Sequence, residues 1–475
     1  MLLDHWPRPR GLARGMLLAA FLGGIGCSPN PETSAEPEAA PAEAAQDAPA
    51  AKAEPVGAVE PAEAEPAAEP EPEPEPPAPA WTPRPEDVVT PHEPLVNPEA
   101  LATFYDHLAA IDDGEAKDVV RVVHLGASMI GADDLPAILR AKFQTRFGDG
   151  GAGLVLLHRY MANYLHRWVK ISSSGWDSCY IAYKCKNDGH YGLGGTTFWA
   201  KDGATSTIST RKDKELGTTA SHIEFWYLAH PKGGRFDFRV DGGSVEQIDT
   251  RSDVLEDRYH TVDVEPGPHK VRVRALKGYG IARGYGVVLE TAGPGLVWDQ
   301  FSMLGAFTRR MLLWDEGHIA GHVKQRDPDL LVFTYGGNDT RRVFTGKLTE
   351  EGYIEEYVSA IQRVRAGKPE ASCLVTAMTD RAKSLEYKLR KNEVETIAHA
   401  QRKVAEKAGC AFFDSFGAMG GAGSLKKWRA KDPPLASADL KHLNHRGRLL
   451  LGGWIYDAII NGYVEYRKAK GAPGQ

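Results

Sequence analysis

Apolar and polar positions follow two different rhythms along this chain, and the change between them predicts its architecture. Residues 119–128 read Val-Val-Arg-Val-Val-His-Leu-Gly-Ala-Ser, a β-branched run stopped by a glycine and followed by Ser128. Such a run predicts a buried strand that delivers the Ser128 hydroxyl to a sharp turn, with Gly131, Asp133 and Asp134 in the turn and a helix over 135–147. A helix over 98–111 precedes it. The rhythm returns later: strands over 296–304, 330–335, 373–378 and 411–414 alternate with helices ending near 323 and spanning 349–365, 386–408 and 446–466. Strands that are continuously apolar and separated by helices predict a parallel sheet covered on both faces, an α/β fold.

Between 154 and 295 the helical period is absent. Short alternating runs over 221–227, 235–240, 259–264, 270–275 and 286–290 are separated by turns such as Asp241-Gly242-Gly243 and Pro266-Gly267-Pro268. Strands this short and this evenly spaced predict a β-sandwich. An all-β module is therefore expected to interrupt the α/β one.

Composition changes the picture at the N-terminus. Arg8, Arg10 and Arg14 precede a short apolar run over 16–25 that leads into Gly26-Cys27, the pattern of a secretory signal. The run is too short to span a bilayer. Its end resembles a bacterial lipoprotein box, which implies lipidation of Cys27, although Gly24 stands where that box prefers leucine. Residues 28–80 hold 13 acidic residues and one lysine among alanine and proline. So much proline and so little apolar surface predict a disordered, self-repelling tether, extending to about residue 95. The whole chain carries −6, this tail −12 and the first 27 residues +2, which leaves the body near +4. That is too small a charge to argue for nucleic acid.

Of five cysteines, Cys179 and Cys185 lie in a loop-rich region where an exported chain can oxidise them. Cys373 and Cys410 each open an apolar run and read as small buried hydrophobes. No Cys/His spacing predicts a metal site, and no cofactor is expected.

Chemistry is expected where strands end. Gly305, in Leu304-Gly305-Ala306, leaves a backbone N–H unshielded by a Cβ. Asn338, in Gly336-Gly337-Asn338-Asp339, brings an amide donor, and Asp439 stands three residues from His442, close enough to orient its ring. Each feature alone has a plainer reading as a strand end, a turn or a surface pair. Their chain order agrees with one sheet edge.

These four spots resemble the four blocks of the SGNH (GDSL-type) hydrolases. The resemblance implies a flavodoxin-like three-layer αβα domain over 96–153 and 296–475, with the β-sandwich of 154–295 inserted. It makes Ser128 the nucleophile, His442 the base and Asp439 its partner, with Ser128, Gly305 and Asn338 as the oxyanion hole. Gly194-Gly195 is a rival for the glycine block. The first block departs from Gly-Asp-Ser, since Ala127 stands at its aspartate. The position of the insert resembles the peptidoglycan O-acetylesterase branch, which implies a lipid-anchored carbohydrate esterase of the bacterial cell envelope acting on an O-acylated glycan. A retired glycan-binding relative and an O-acetyltransferase with the same serine are the alternatives. Trp168, Trp176, Tyr191, Trp199 and Trp226 of the insert are candidates to stack on sugar rings, but aromatics that alternate along strands usually pack inward.

Overall fold

The computed structural model describes residues 81–382 and 391–471. The expected signal segment with Cys27, and residues 28–80 of the expected tether, lie outside the described residues.

Five strands form a parallel sheet: β1 (Val119–Gly126), β2 (Gly295–Ser302), β3 (Leu330–Thr334), β4 (Ser372–Thr376) and β5 (Ala411–Phe413). Their order across the sheet is β2-β1-β3-β4-β5, with Gly126 level with Ser302 on one side and Thr334 on the other. This is the doubly wound order in which ligands bind beyond the carboxyl ends of the strands, where the order reverses between β1 and β3. Every residue of β2 to β5 is buried. Strands covered on both faces need that continuity, and it is why their sequences show no alternation.

Helices supply the two covers. Phe104 and Leu108 of Ala102–Asp112, Leu139 and Phe143 of Asp134–Phe147, and Ile455 and Ile459 of His445–Lys470 share one apolar cluster with Trp298 and Val332 of the sheet. Burial of each such side chain contributes about 1.5–3 kcal/mol. Glu316–Arg326, Glu350–Arg365 and Lys391–Ala408 pack against one another and form the other cover. Glu350–Arg365 shows why it is helical: Thr349 caps it by accepting from Gly352 N at 3.0 Å, and Tyr353, Tyr357, Ala360 and Val364 form its buried stripe.

Between Asp134–Phe147 and β2 the chain builds a six-stranded and a five-stranded antiparallel sheet. Phe225 of the first lies 4.9 Å from Phe236 and 6.0 Å from Phe238 of the second, ring centre to ring centre, so the sheets face each other through aromatics. The antiparallel part begins at Gly151, because Gly151–Leu156 pairs with Ala282–Glu290. The small residues Gly151-Ala152-Gly153 conceal that strand in the sequence.

Two further differences have physical causes. Residues 81–95, expected to be tether, lie against the body. Arg146 bonds both Asp87 and Asp112, and the Arg467 guanidinium sits 4.8 Å over the Trp81 ring. Their prolines resemble the tail's, but Trp81 and Asp87 give them something to dock. Cys373 and Cys410, read as reduced hydrophobes, are joined in a disulfide, as are Cys179 and Cys185. The register of β4 on β5 puts Leu374 opposite Ala411, which brings the two preceding cysteines to a Cα separation of 4.8 Å.

Candidate active site

Ser128 follows β1 in a turn fixed from several sides. Ala127 N donates to Thr334 O at 3.0 Å, Met303 N to Gly126 O at 2.7 Å, and Gly131 N to Ser128 O at 3.2 Å. Ser302 Oγ donates to Ala127 O at 3.2 Å and Arg448 Nη2 to Ser128 O at 3.4 Å. A Cβ on Gly126 would come within 2.9 Å of Thr334 O, so only glycine lets β1 and β3 close at this point. The turn is thus shaped by backbone bonds and a distant arginine, with no side-chain carboxylate at position 127.

The loop before His445–Lys470 brings the imidazole. His442 Nε2 lies 2.8 Å from Ser128 Oγ, and His442 Nδ1 lies 2.7 Å from Asp439 Oδ2. Asp439 Oδ1 accepts from the backbone N–H groups of Lys441 (2.9 Å) and His442 (3.1 Å), which fix the carboxylate before it meets the ring. Burial pushes the His442 ring below its ordinary pKa, the hydrogen bond to Asp439 works against this, and the Arg381 charge adds to the lowering. A neutral ring whose Nδ1 proton is held by a carboxylate presents a lone pair from Nε2 to the hydroxyl.

Two neighbouring loops carry the remaining predicted residues. Gly305 has φ +74°, with nothing within 4 Å of a built Cβ, so its backbone faces open space. Among the described residues, the N–H groups of Ser128 and Gly305 donate to no acceptor. Asn338 Nδ2 donates to Ala306 O at 3.0 Å. Asp339 accepts from Thr308 N (3.1 Å) and Thr308 Oγ1 (3.0 Å), tying the same two loops again. Its carboxyl is raised to about 7 by complete burial, despite those bonds.

A small cavity beside Ser128 is lined by Met129, Leu135, Gly337, Met378, Arg381 and Leu451, among others. Arg381 and Arg448 are the site-wall residues that sequence reasoning missed. Arg381 Nη1 donates to Gly337 O at 2.7 Å, and the next residue's N–H reaches Leu440 O at 3.0 Å, so this segment joins the Asn338 loop to the His442 loop. Neither arginine sits in a short motif, and their acceptors, Gly337 O for Arg381 and Gly131 O, Ser128 O and the Asp134 carboxylate for Arg448, lie far along the chain.

The rival glycines have another task. His318 Nε2 accepts from Gly192 N (2.9 Å) and His322 Nδ1 from Leu193 N (3.2 Å), while their other nitrogens face Asp257 at 2.5 and 3.3 Å. His190, Asp257 and His318 are near enough for a metal ion. Yet a backbone donor on His318 Nε2 places that ring's own proton on Nδ1, aimed at the carboxylate, and a metal-bound imidazole would instead donate from its second nitrogen. The cluster is complete as a hydrogen-bonded clamp on the 189–195 loop. Of the candidate sugar-stacking aromatics, Trp168, Trp176, Tyr191 and Trp226 are buried, and Trp199 is half-buried with Lys186 Nζ 3.8 Å over its ring.

Residues 274–449 match the GDSL-like Lipase/Acylhydrolase family. The match spans Gly305, Asn338, Asp439 and His442; Ser128 lies before it. No curated protein sequence matches the chain. Among solved structures, a peptidoglycan O-acetylesterase is 19% identical, with a TM-score of 0.62 over 78% of this chain and 97% of its own. A lipase/acylhydrolase from Enterococcus faecalis is 17% identical, covering 38% of this chain and 80% of its own with a TM-score of 0.27. The chain thus contains a GDSL-like (SGNH) acylhydrolase domain and shares the fold of a peptidoglycan O-acetylesterase.

Proposed function

On the premise of that domain, we propose that this chain is a serine carbohydrate esterase that removes O-acetyl groups from a cell-envelope glycan such as peptidoglycan. The observation that carries the reading is the unbroken relay from Ser128 Oγ to His442 Nε2 at 2.8 Å and from His442 Nδ1 to Asp439 at 2.7 Å. Ser128 Oγ attacks the ester carbonyl and its proton passes to His442 Nε2, while Asp439 holds the ring and stabilises the imidazolium. The N–H groups of Ser128 and Gly305 and the Asn338 amide receive the oxyanion. His442 returns the proton to the departing sugar hydroxyl, and water then releases acetate from the acyl-serine. The small cavity beside Ser128 suits a short acyl group.

In the same reading the two facing antiparallel sheets are a carbohydrate-binding-like β-sandwich, and Cys27 carries a lipid that anchors the body to a bacterial membrane through the acidic tail. No helix among the described residues is long and apolar enough to cross a membrane. Cys27→Ala should move the protein from the membrane fraction to the soluble one.

The test is hydrolysis of a chromogenic acetyl ester by the protein and by Ser128→Ala. Turnover in the first and only background in the second is expected, and equal rates would remove the catalytic reading. A fluorophosphonate probe should label Ser128, which a retired glycan binder would not allow. With an added glycan acceptor, free acetate is expected as the product; a new ester would make the enzyme a transferase.

A further inference from the structure

A groove of about 620 Å³ lies where the insert meets the turn that carries Ser128, within the size range of small-molecule and cofactor clefts. Its charged wall is made by Arg159, Arg167, Lys170, Arg211 and Lys212, against a single carboxylate, Asp213. The sequence explains part of this imbalance, since no acidic residue occurs between Asp149 and Asp177. Two of the five cations are neutralised in place: Arg167 pairs with Asp134, and Arg211 holds Asp213 by two bonds of 3.0 and 2.6 Å. Three are not. Among the described residues, the Arg159 guanidinium donates only to the carbonyls of Ala162 (2.8 Å) and Tyr164 (3.1 Å). Lys170 and Lys212 are exposed and pair with no carboxylate among the described residues. Ser209 and Thr210 place hydroxyl groups along the same wall, and no tryptophan, tyrosine or phenylalanine lines it.

The groove is joined to the nucleophile turn. Arg167 N donates to Asp133 Oδ2 at 2.7 Å, and Ala132 N to Asn163 O at 2.8 Å. Asp134, the partner of Arg167, also accepts from Arg448, which holds Ser128 O. The groove wall is thus tied by hydrogen bonds to the turn that carries Ser128.

From these observations we infer that the groove binds the strand of an acidic polysaccharide, one bearing carboxylates along its length, and so selects anionic acetylated glycans for the site. The inference rests on the esterase reading for its glycan. Three uncompensated cations give charge complementarity, and hydroxyls between them suit sugar oxygens. The clasp of Arg211 on the exposed Asp213 shows that a carboxylate fits the wall, and an incoming uronate can take its place. Single-stranded nucleic acid would look for aromatic platforms, which this wall lacks.

The experiment compares binding of polygalacturonate, neutral xylan and a single-stranded DNA to the full chain as Ser128→Ala, and to the same protein with Lys170→Glu and Lys212→Glu. Polygalacturonate should bind well above xylan, weaken with added salt, and lose at least about tenfold in affinity in the double variant. Thermal unfolding, and turnover of a small acetyl ester by the double variant with Ser128 intact, should not change. Equal binding of xylan, equal binding of DNA, or full affinity in the double variant would each overturn the inference. Loss of small-ester turnover in the unmodified enzyme would count against the esterase reading and leave the binding comparison standing.

Discussion

Asn338 commits one amide proton to Ala306 O, so its side chain is oriented before any substrate arrives. Asn338→Ala should therefore slow acetyl-ester turnover by about two orders of magnitude, roughly 3 kcal/mol of transition-state stabilisation, with a much smaller change in KM. In the proposed mechanism His442 sets the pH profile. The base works unprotonated and its pKa lies below the ordinary imidazole value, so the acidic limb of kcat/KM should fall below pH 6.5. A limb above that value would mean that burial does not govern the ring. At this scale the sequence was informative where chemistry sits in short blocks: Ser128, Asp439 and His442 each follow from local pattern, and the structure brings the three within hydrogen-bonding reach of one another. Arg381 and Arg448 did not, because what they hold, backbone carbonyls and, for Arg448, the Asp134 carboxylate as well, only folding brings near.

Segments were legible in proportion to how much of their own apolar surface they bury. The strands and helices of the α/β part fall within a few residues of their expected positions, since continuous or 3.6-period burial marks the sequence directly. The segment over 81–95 was not legible, because its docking depends on two ion pairs. Arg146 bonds Asp87 and Asp112, and all three side chains are at most 4% exposed. Burial alone would raise the Asp112 carboxyl, but hydrogen bonds from Arg146 and Tyr463 hold it below its usual value. That stabilisation is complete above the ordinary carboxylate pKa and is lost as pH falls through the lower folded one. Arg146→Leu strands the buried Asp87 carboxylate, leaves Asp112 with only Arg84 and Tyr463, and should cost about 3–5 kcal/mol in denaturant unfolding at pH 7. The deficit should shrink as pH falls toward about 4, where the Asp112 carboxyl can protonate. The Cys373–Cys410 bond depends on which strands are neighbours, which no local pattern reports. Thiol titration of the unfolded, unreduced protein should find no reactive sulfur at positions 179, 185, 373 or 410; labelling at 373 or 410 would contradict the disulfide.

Across the whole molecule, the insert is built into the α/β part. The described residues fall in one compact unit, Asp257 of the insert is gripped by His318 and His322 of a covering helix, and Trp168 Nε1 donates to Gln144 Oε1 at 3.0 Å. Calorimetry of the protein should therefore show a single cooperative unfolding transition for these residues, whereas two separated transitions would indicate an independent module. The insert separates Ser128 from the other candidate residues, and the family match over 274–449 begins within the insert and leaves the serine outside.

Ser128 and His442 lie 314 positions apart. At ribosomal speeds of about 5–20 residues per second, roughly 15 to 60 seconds pass between synthesis of the hydroxyl and synthesis of its base. A nascent chain, or any fragment cut short before residue 442, holds a serine with nothing to deprotonate it. The order of the chain thus leaves the Ser128–His442 pair unformed until nearly the whole polypeptide has been made.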